Sequence, residues 1–295
     1  MRRHPIASWH EDPPWSLDFT PCLAVSDAVA RTARTAQMAQ MAQMAQMAQM
    51  VQMAHMAQHA VTELLSNATE HSGGASVTVS TRQTPLRLQL LASDDGRGIF
   101  DAIGETYQIA DPAQAMLELA KGKLGTCPDR HSGRGLFFTA RLADVIDLHA
   151  SNVAFQQRDW QRAQWHQGRS ACPRGSSVYL ALCLDTTRTL AAVLRRYRLD
   201  GAGYGFDRTV VPLRLMSGPP VALASRAQAR RVASQLQRFR RVKLDFEGLA
   251  DVGHGFADEL LRVFQNRNPE VGLVAVSMAP AVAARVDSVR EVQVA

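Results

Sequence analysis

The sequence predicts an α+β chain that ends in a small α/β domain, and three observations carry that prediction. Apolar residues alternate at Val77 and Val79 and again at Leu86, Leu88 and Leu90, the period of adjacent strands or a hairpin. From Thr35 to Gln58 the chain repeats Ala-Gln-Met with few departures and no Gly or Pro, and all three residue types favour helix. Residues 208–295 then switch between strand-like and helix-like runs, the pattern of a compact α/β unit.

Taken in order, residues 1–25 carry Pro5, Trp9, Pro13, Pro14 and Trp15 and read as an extended arm. Ser26-Asp27 can cap a helix starting near Ala28. That helix continues through the repeat (35–58) to Glu70, on the order of 60 Å at ~1.5 Å per residue. Ser72-Gly73-Gly74 then ends it with a left-handed C-cap. After the first strands comes a variable stretch, 99–130, with a short helix over 112–121 and a Lys121-Gly122-Lys123-Leu124-Gly125 segment mobile by composition. Residues 135–143 read as helix and 145–150, 153–160 and 177–184 as strands. A basic helix over 186–198 precedes Asp200-Gly201-Ala202-Gly203-Tyr204-Gly205, a linker by composition. Beyond it the expected order is strand 209–215, helix 225–239, strand 242–246, helix 255–264, strand 272–277 and helix 280–289.

The 295 residues suffice for one large or two ordinary domains, and a 46% apolar share is ample for a core. A formal charge of +6 suits anionic ligands without demanding nucleic acid. Cys22, Cys127, Cys172 and Cys183 show neither CxxC nor zinc-like spacing, which reads as reduced thiols in a cytoplasmic protein. The N-terminus has no apolar core of signal-peptide type, and no run of about eighteen apolar residues suggests a membrane span.

The repeat places Met at 38, 41, 44, 47, 50, 53 and 56. A three-residue period drifts by roughly 60° per unit against the helical 3.6, so the Met row winds around the helix and no flat partner covers all of it. One reading is replication slippage in a short DNA repeat, tolerated because each unit stays helical. The other is that copy number tunes activity, with the Met side chains as an adaptable oligomer or partner surface.

Two stretches carry the chemistry. Glu63-Leu64-Leu65-Ser66-Asn67-Ala68-Thr69-Glu70-His71 puts Glu63, Asn67 and His71 on one helix face at i, i+4 and i+8. A polar line of that kind wants a cation, a phosphate or water. About twenty residues on, Asp94-Asp95-Gly96-Arg97-Gly98-Ile99 follows a strand-like run, with glycines that let backbone approach a ligand closely. These stretches resemble the N box and first glycine box of the GHKL superfamily of ATPases and kinases, and His131-Ser132-Gly133-Arg134-Gly135-Leu136 resembles its second glycine box. The resemblance implies a Bergerat-type α/β sandwich, helices on one face of a mixed sheet, over 26–188. It also implies an ATP lid within 100–132, followed by a linker over 189–207.

By that resemblance the ligands are ATP and Mg²⁺. Asp94 accepts a hydrogen bond from the adenine amino group, which guanine lacks at that edge, and Gly96 and Gly98 let the backbone pass the base. Asn67 holds Mg²⁺ through its carbonyl oxygen, and Glu63 is the general base. His71 lies near the phosphates or caps its helix. Gly133, Arg134 and Gly135 form a phosphate-holding turn at a helix start, and Lys121 and Lys123 either reach the terminal phosphate when the lid closes or are a solvated pair. The pattern departs from sensor kinases: the second glycine box is short, and no histidine-bearing dimerisation helix with an acceptor sequence precedes the N box. His55 and His59 read as repeat degeneracy.

Within the expected domain 208–295, residues 208–285, through Val242-Lys243-Leu244-Asp245-Phe246-Glu247-Gly248 and Gly253-His254-Gly255-Phe256-Ala257-Asp258-Glu259-Leu260, resemble a STAS-like domain of unknown function. The pairing is similar to bacterial anti-sigma kinases and their STAS partners, joined here in one chain. The turn where true STAS substrates carry an acceptor serine is Asp251-Val252-Gly253-His254-Gly255, without Ser or Thr. His254 is either a phosphate acceptor or a packing or capping residue. Arg226, Arg230, Arg231, Arg238, Arg240, Arg241 and Lys243 form a basic cluster, a solvated helix face or a nucleic-acid contact without aromatic interleaving. Two function classes follow: an ATP-hydrolysing or protein (serine/histidine) kinase-like enzyme of bacterial signalling, or a non-catalytic nucleotide-gated module. The partners implied are an adenine nucleotide and a protein partner or second copy engaged through the repeat helix and the STAS-like domain.

Overall fold

A computed structural model describes residues 20–124, 134–161, 165–170, 172, 174–199, 205–216 and 223–294. By internal packing the chain divides after Val51. The first helix, α1, spans Thr20–His71 and carries the whole repeat. Within residues up to Val51, Met38, Met41, Met44, Met47 and Met50 are 50 to 67% exposed.

From Gln52 onward α1 changes character. Met53, Met56, Ala60, Leu64 and Ala68 are all buried, a spacing of three or four residues that puts them on one core-facing stripe. Gly73, at φ +61, turns the chain after the helix as the sequence suggests. Strands β1 (Val77–Gln83) and β2 (Arg87–Asp94) follow, then helices α2 (Ile99–Tyr107), α3 (Pro112–Lys121) and α4 (Gly135–Leu142). Asp111 caps α3 by accepting from Ala113 N at 3.0 Å, with Pro112 at the first helical position. Strands β3 (Val145–Ala150), β4 (Val153–Arg158), β5 (Trp165–Arg169) and β6 (Ser176–Cys183) complete a six-stranded sheet in the order β1-β2-β6-β3-β4-β5.

Every pairing in that sheet is antiparallel, so the expected mixed sheet is corrected. The central strand β6 reaches both β2 and β3 as an antiparallel neighbour, which leaves no parallel junction. Strand β5 escaped the sequence reading because Trp-His-Gln-Gly-Arg has no apolar alternation.

The segment expected to be a linker is partly built into the fold. Helix α5 (Leu190–Arg196) starts at Thr189, whose hydroxyl accepts from Ala192 N at 2.9 Å. Tyr197 and Phe206 are buried; residues 200–204 fall outside the described set. Next come β7 (Arg208–Pro212), α6 (Arg226–Ala233), β8 (Arg241–Asp245), α7 (His254–Ala257), a π-helical stretch (Asp258–Val263), α8 (Phe264–Arg267), β9 (Gly272–Val276) and α9 (Pro280–Val294). The three strands are parallel in the order β7-β8-β9, with Val211 opposite Leu244 and Leu244 opposite Ala275. Ser225 and Gln228 form a capping box at α6, which ends early because Gln235 takes a left-handed turn at φ +61. Of the basic cluster, Arg226 pairs with Asp258 at 3.1 Å and Arg230 with Glu259 at 2.8 Å, both carboxylates being buried. Asp258 also pairs with Arg262, and these cations hold its carboxyl below the ordinary range.

Candidate nucleotide site

The end of α1, the end of β2 and the start of β6 meet around one pocket. Leu64, Asn67, Ala68 and His71 line it from α1, Ser72 from the turn after it, and Ala92, Ser93 and Asp94 from β2. Arg97, Ile99, Leu136, Ser176 and Val178 complete the wall. Its atom-free space is about 500 Å³ when the open solvent at its mouth is included. That mix, apolar walls with a few convergent polar groups, is the usual composition of a small-molecule site.

Asp94 and Asp95 are adjacent in sequence but do different work. Asp95 closes a loop: its Oδ1 accepts from Ala75 N (2.9 Å) and Ser76 N (3.0 Å), and its Oδ2 from the Ser76 hydroxyl (2.9 Å). Those hydrogen bonds, led by Ser76, lower its pKa. Asp94 faces the pocket. Its Oδ1 accepts from Gly96 N at 3.1 Å and Ser176 N at 3.3 Å, yet burial outweighs these bonds and raises its pKa.

Asn67 sits one turn from His71 on the same helix face. Its amide nitrogen is buried and has no hydrogen-bond partner among the described residues. Such an orphan is costly in a finished core and sensible at a ligand site. The orphaned nitrogen is a donor suited to an acceptor such as a phosphate oxygen, and the carbonyl oxygen of the same amide is the atom that fits Mg²⁺, which takes few protein oxygens when phosphates and water supply the rest. No cluster of three or more His, Cys, Asp or Glu poised for a metal occurs among the described residues. His71 lines the pocket with Nε2 at 3.9 Å from Glu70 Oε2.

Glu63 lies one turn further up α1, outside the pocket lining and beside the start of α4. A Cβ on Gly135 would overlap the Glu63 carboxylate where it now lies, so a side chain there would have to push that carboxylate aside. His59 Nδ1 lies 3.9 Å from Glu63 Oε1, and burial lowers the His59 pKa. Gly96 and Gly98 shape the loop rather than line the pocket. A Cβ on Gly96 would come within 2.6 Å of Gly74 N, and one on Gly98 within 2.6 Å of the Ser151 hydroxyl. Arg134 stands at the head of α4 with its guanidinium 5.9 Å from the Phe206 ring centre, and Gly133 lies outside the described residues.

Lys121 and Lys123 are not at the pocket. Lys121 is 1% exposed, and its Nζ donates to Glu118 Oε1 (2.7 Å) and Ser234 O (2.9 Å). The Lys123 Nζ donates to Arg238 O at 2.5 Å and lies 4.7 Å from the Phe239 ring centre. A buried ammonium needs acceptors around it, and here a carboxylate and chain carbonyls supply them. Neither lysine lines the pocket in this arrangement, and Lys121, being buried, is not a solvated charge.

Sequence reasoning missed Gly175 and Ser176. Gly175 takes φ +74, and a Cβ there would run into the Asp94 carbonyl. The Ser176 hydroxyl accepts from Ile99 N at 3.0 Å, tying β6 to the loop after Asp94. The available signal was a glycine directly before a strand, a common mark of close backbone approach.

Compared with known protein families, residues 25–154 match the histidine kinase-like ATPase domain, and residues 228–283 match a STAS-like domain of unknown function. The chain thus joins a histidine kinase-like ATPase segment to a STAS-like segment. No curated protein matches it. The ATPase match ends within β4, but β5 and β6 belong to the same sheet and β6 supplies Ser176. A histidine kinase-like ATPase domain implies nucleotide binding, and the STAS-like domain fits a regulatory role through protein contacts. No described helix is long and apolar enough to cross a membrane.

Proposed function

We propose that this chain is an ATP- and Mg²⁺-binding regulatory protein of bacterial signalling, with the nucleotide held between α1 and the β2–α2 loop. The observation that carries the reading is the presence, in one pocket, of the Asp94 carboxylate and of Asn67, whose buried amide nitrogen has no partner among the described residues. Asp94 would accept from the adenine amino group, and the Asn67 side-chain oxygen would hold Mg²⁺, which would supply positive charge at the phosphates. Glu63, beside the head of α4, activates the attacking water or hydroxyl if the bound nucleotide turns over. Arg134 and Gly135 stand near the phosphate end.

Calorimetric titration of an ATP analogue with Mg²⁺ tests the binding. Wild type should bind, Asp94→Asn should bind at least tenfold more weakly, and equal affinity would remove the adenine assignment. ATP turnover in wild type against Glu63→Ala separates catalysis from gating.

A second reading has its own support: nucleotide gates partner binding without turnover. The STAS-like domain presents Asp251-Val252-Gly253-His254-Gly255 where an acceptor serine would be needed, which weakens phosphotransfer within the chain. Equal background turnover in wild type and Glu63→Ala, with nucleotide still bound, would favour this second reading. The exposed Met row then serves as an oligomer or partner surface whose length tunes the output.

A further inference from the structure

The ATPase and STAS-like domains share an interface that ties directly into the proposed nucleotide site. Lys121, at the end of α3, gives its ammonium to Glu118 and to Ser234 O of the STAS-like domain, while the Thr209 hydroxyl donates to Lys121 O at 2.6 Å. Two residues on, Lys123 and Arg238 exchange bonds: Lys123 Nζ donates to Arg238 O, and Arg238 Nη1 donates to Lys123 O at 2.9 Å. Gly122, between them, takes φ +78, and a Cβ there would lie 2.7 Å from atoms of the Phe137 and Phe206 rings.

From this seam an aromatic cluster leads to the pocket. Phe239 lies 5.5 Å from Phe206, and Phe206 lies 4.6 Å from Phe137 and 5.2 Å from Phe138, ring centre to ring centre. Phe137 and Phe138 belong to α4, whose first residue Gly135 abuts Glu63 and whose Leu136 lines the pocket. Arg141 binds α4 to the same cluster: it donates to Tyr197 Oη (2.8 Å), Phe137 O (2.9 Å) and Ala120 O (3.1 Å).

We infer that the STAS-like domain, through Arg238 and Phe239, is a positioning element for the nucleotide site, so that docking and nucleotide affinity strengthen one another. The inference rests on the nucleotide reading above. Lys121 makes the contact close to all-or-none, because withdrawal of Ser234 leaves a buried ammonium short of an acceptor and water must enter to satisfy it. Whatever affinity docking adds to the site, nucleotide must return to the docking by the same factor.

The test compares affinities for a fluorescent ATP analogue with Mg²⁺ in the full chain. Arg238→Ala alters the seam and no pocket residue; it should weaken binding about tenfold, within the usual span of coupling between sites. Arg238→Lys should restore part of the loss. Should Arg238→Ala fold poorly, Thr209→Val removes one seam bond instead. Val282→Ala is the control: Val282 is buried on α9, and its loss should lower the melting temperature yet leave affinity within about twofold. Nucleotide should also slow hydrogen exchange at residues 122–124 in wild type, and much less in Arg238→Ala. Unchanged affinity in both seam variants, or an equal loss in Val282→Ala, overturns the inference. A wild type that binds no nucleotide overturns the proposed function, and this inference with it.

Discussion

The pocket and the seam both bury polar groups, and they treat them in opposite ways. At the seam the Lys121 ammonium has two acceptors, Glu118 and Ser234 O, and the Lys121 carbonyl takes the Thr209 hydroxyl. In the pocket the Asn67 amide nitrogen has no partner among the described residues, and burial raises the Asp94 pKa. A satisfied cluster stabilises the fold as it stands; an unsatisfied one anticipates a ligand. Unpartnered buried atoms occur elsewhere too, at Thr139 and His166 among others, so the contrast points to a ligand only where such an atom lines a pocket, as Asn67 does.

The sharpest way to break that comparison is to delete one member of each. Glu118→Ala leaves Lys121 as an uncompensated buried charge and should cost about 3–5 kcal/mol in a urea melt. Asn67→Ala should leave stability within ~0.5 kcal/mol, because no intramolecular bond of its amide nitrogen is lost, while weakening Mg²⁺-dependent nucleotide binding. If both variants lose stability equally, the division between seam and pocket fails.

The same contrast can be drawn within one residue type. Met56 is 1% exposed and Met44 is 52% exposed, although both belong to the same three-residue row. Met56→Ala should cost about 2–5 kcal/mol, and Met44→Ala should fall within ~0.5 kcal/mol. A large effect at Met44 would mean that a partner or second copy covers it in solution, which concentration-dependent melting would reveal.

A smaller effect separates the neighbouring aspartates. Burial raises the Asp94 pKa above its ordinary value, and the binding reading needs the ionised carboxylate. Affinity for the nucleotide should therefore hold at neutral pH and fall as pH drops through the raised value, sooner than for an exposed aspartate. The stability contribution has the opposite sign: it is present at low pH and is lost as pH rises through the folded value. Asp95, whose pKa is lowered by its bonds to Ser76 and Ala75, contributes stability that disappears only as pH falls below the ordinary carboxylate range. Titrations of wild type and Asp94→Asn between neutral and acid pH check this, and the variant should lose the affinity slope.

Much of this arrangement was legible in the sequence because it is local. The spacing of Glu63, Asn67 and His71 fixes one helix face, Gly73 marks the helix end, and the alternation after Arg208 gives the parallel unit. What the sequence concealed depends on long-range contact. Lys121 and Lys123 look like mobile surface charges beside two glycines, and only the fold shows that Ser234 and Arg238 receive them. Ser176 is more than eighty residues from Asp94, so only the antiparallel register of β2 and β6 brings them together. Phe206, next to a Gly-rich stretch, reads as linker until the aromatic cluster around it is seen.

The smallest expected effect concerns the repeat. Removing one Ala-Gln-Met unit shortens α1 by about 4.5 Å and turns whatever precedes the deletion by roughly 60°. No pocket or seam residue changes, so nucleotide affinity should shift by less than about threefold if the tract acts only through geometry. The informative measurement is a series: one unit fewer, one more, and six more, each assayed for nucleotide affinity, turnover and mass in solution. Six units add eighteen residues, about five full turns, and restore the original phase. A response that returns at six units supports tuning by rotation, and one that grows steadily supports tuning by length. Identical behaviour throughout would leave slippage as the sufficient account, because a register-free helix of uncharged residues tolerates any number of in-frame units.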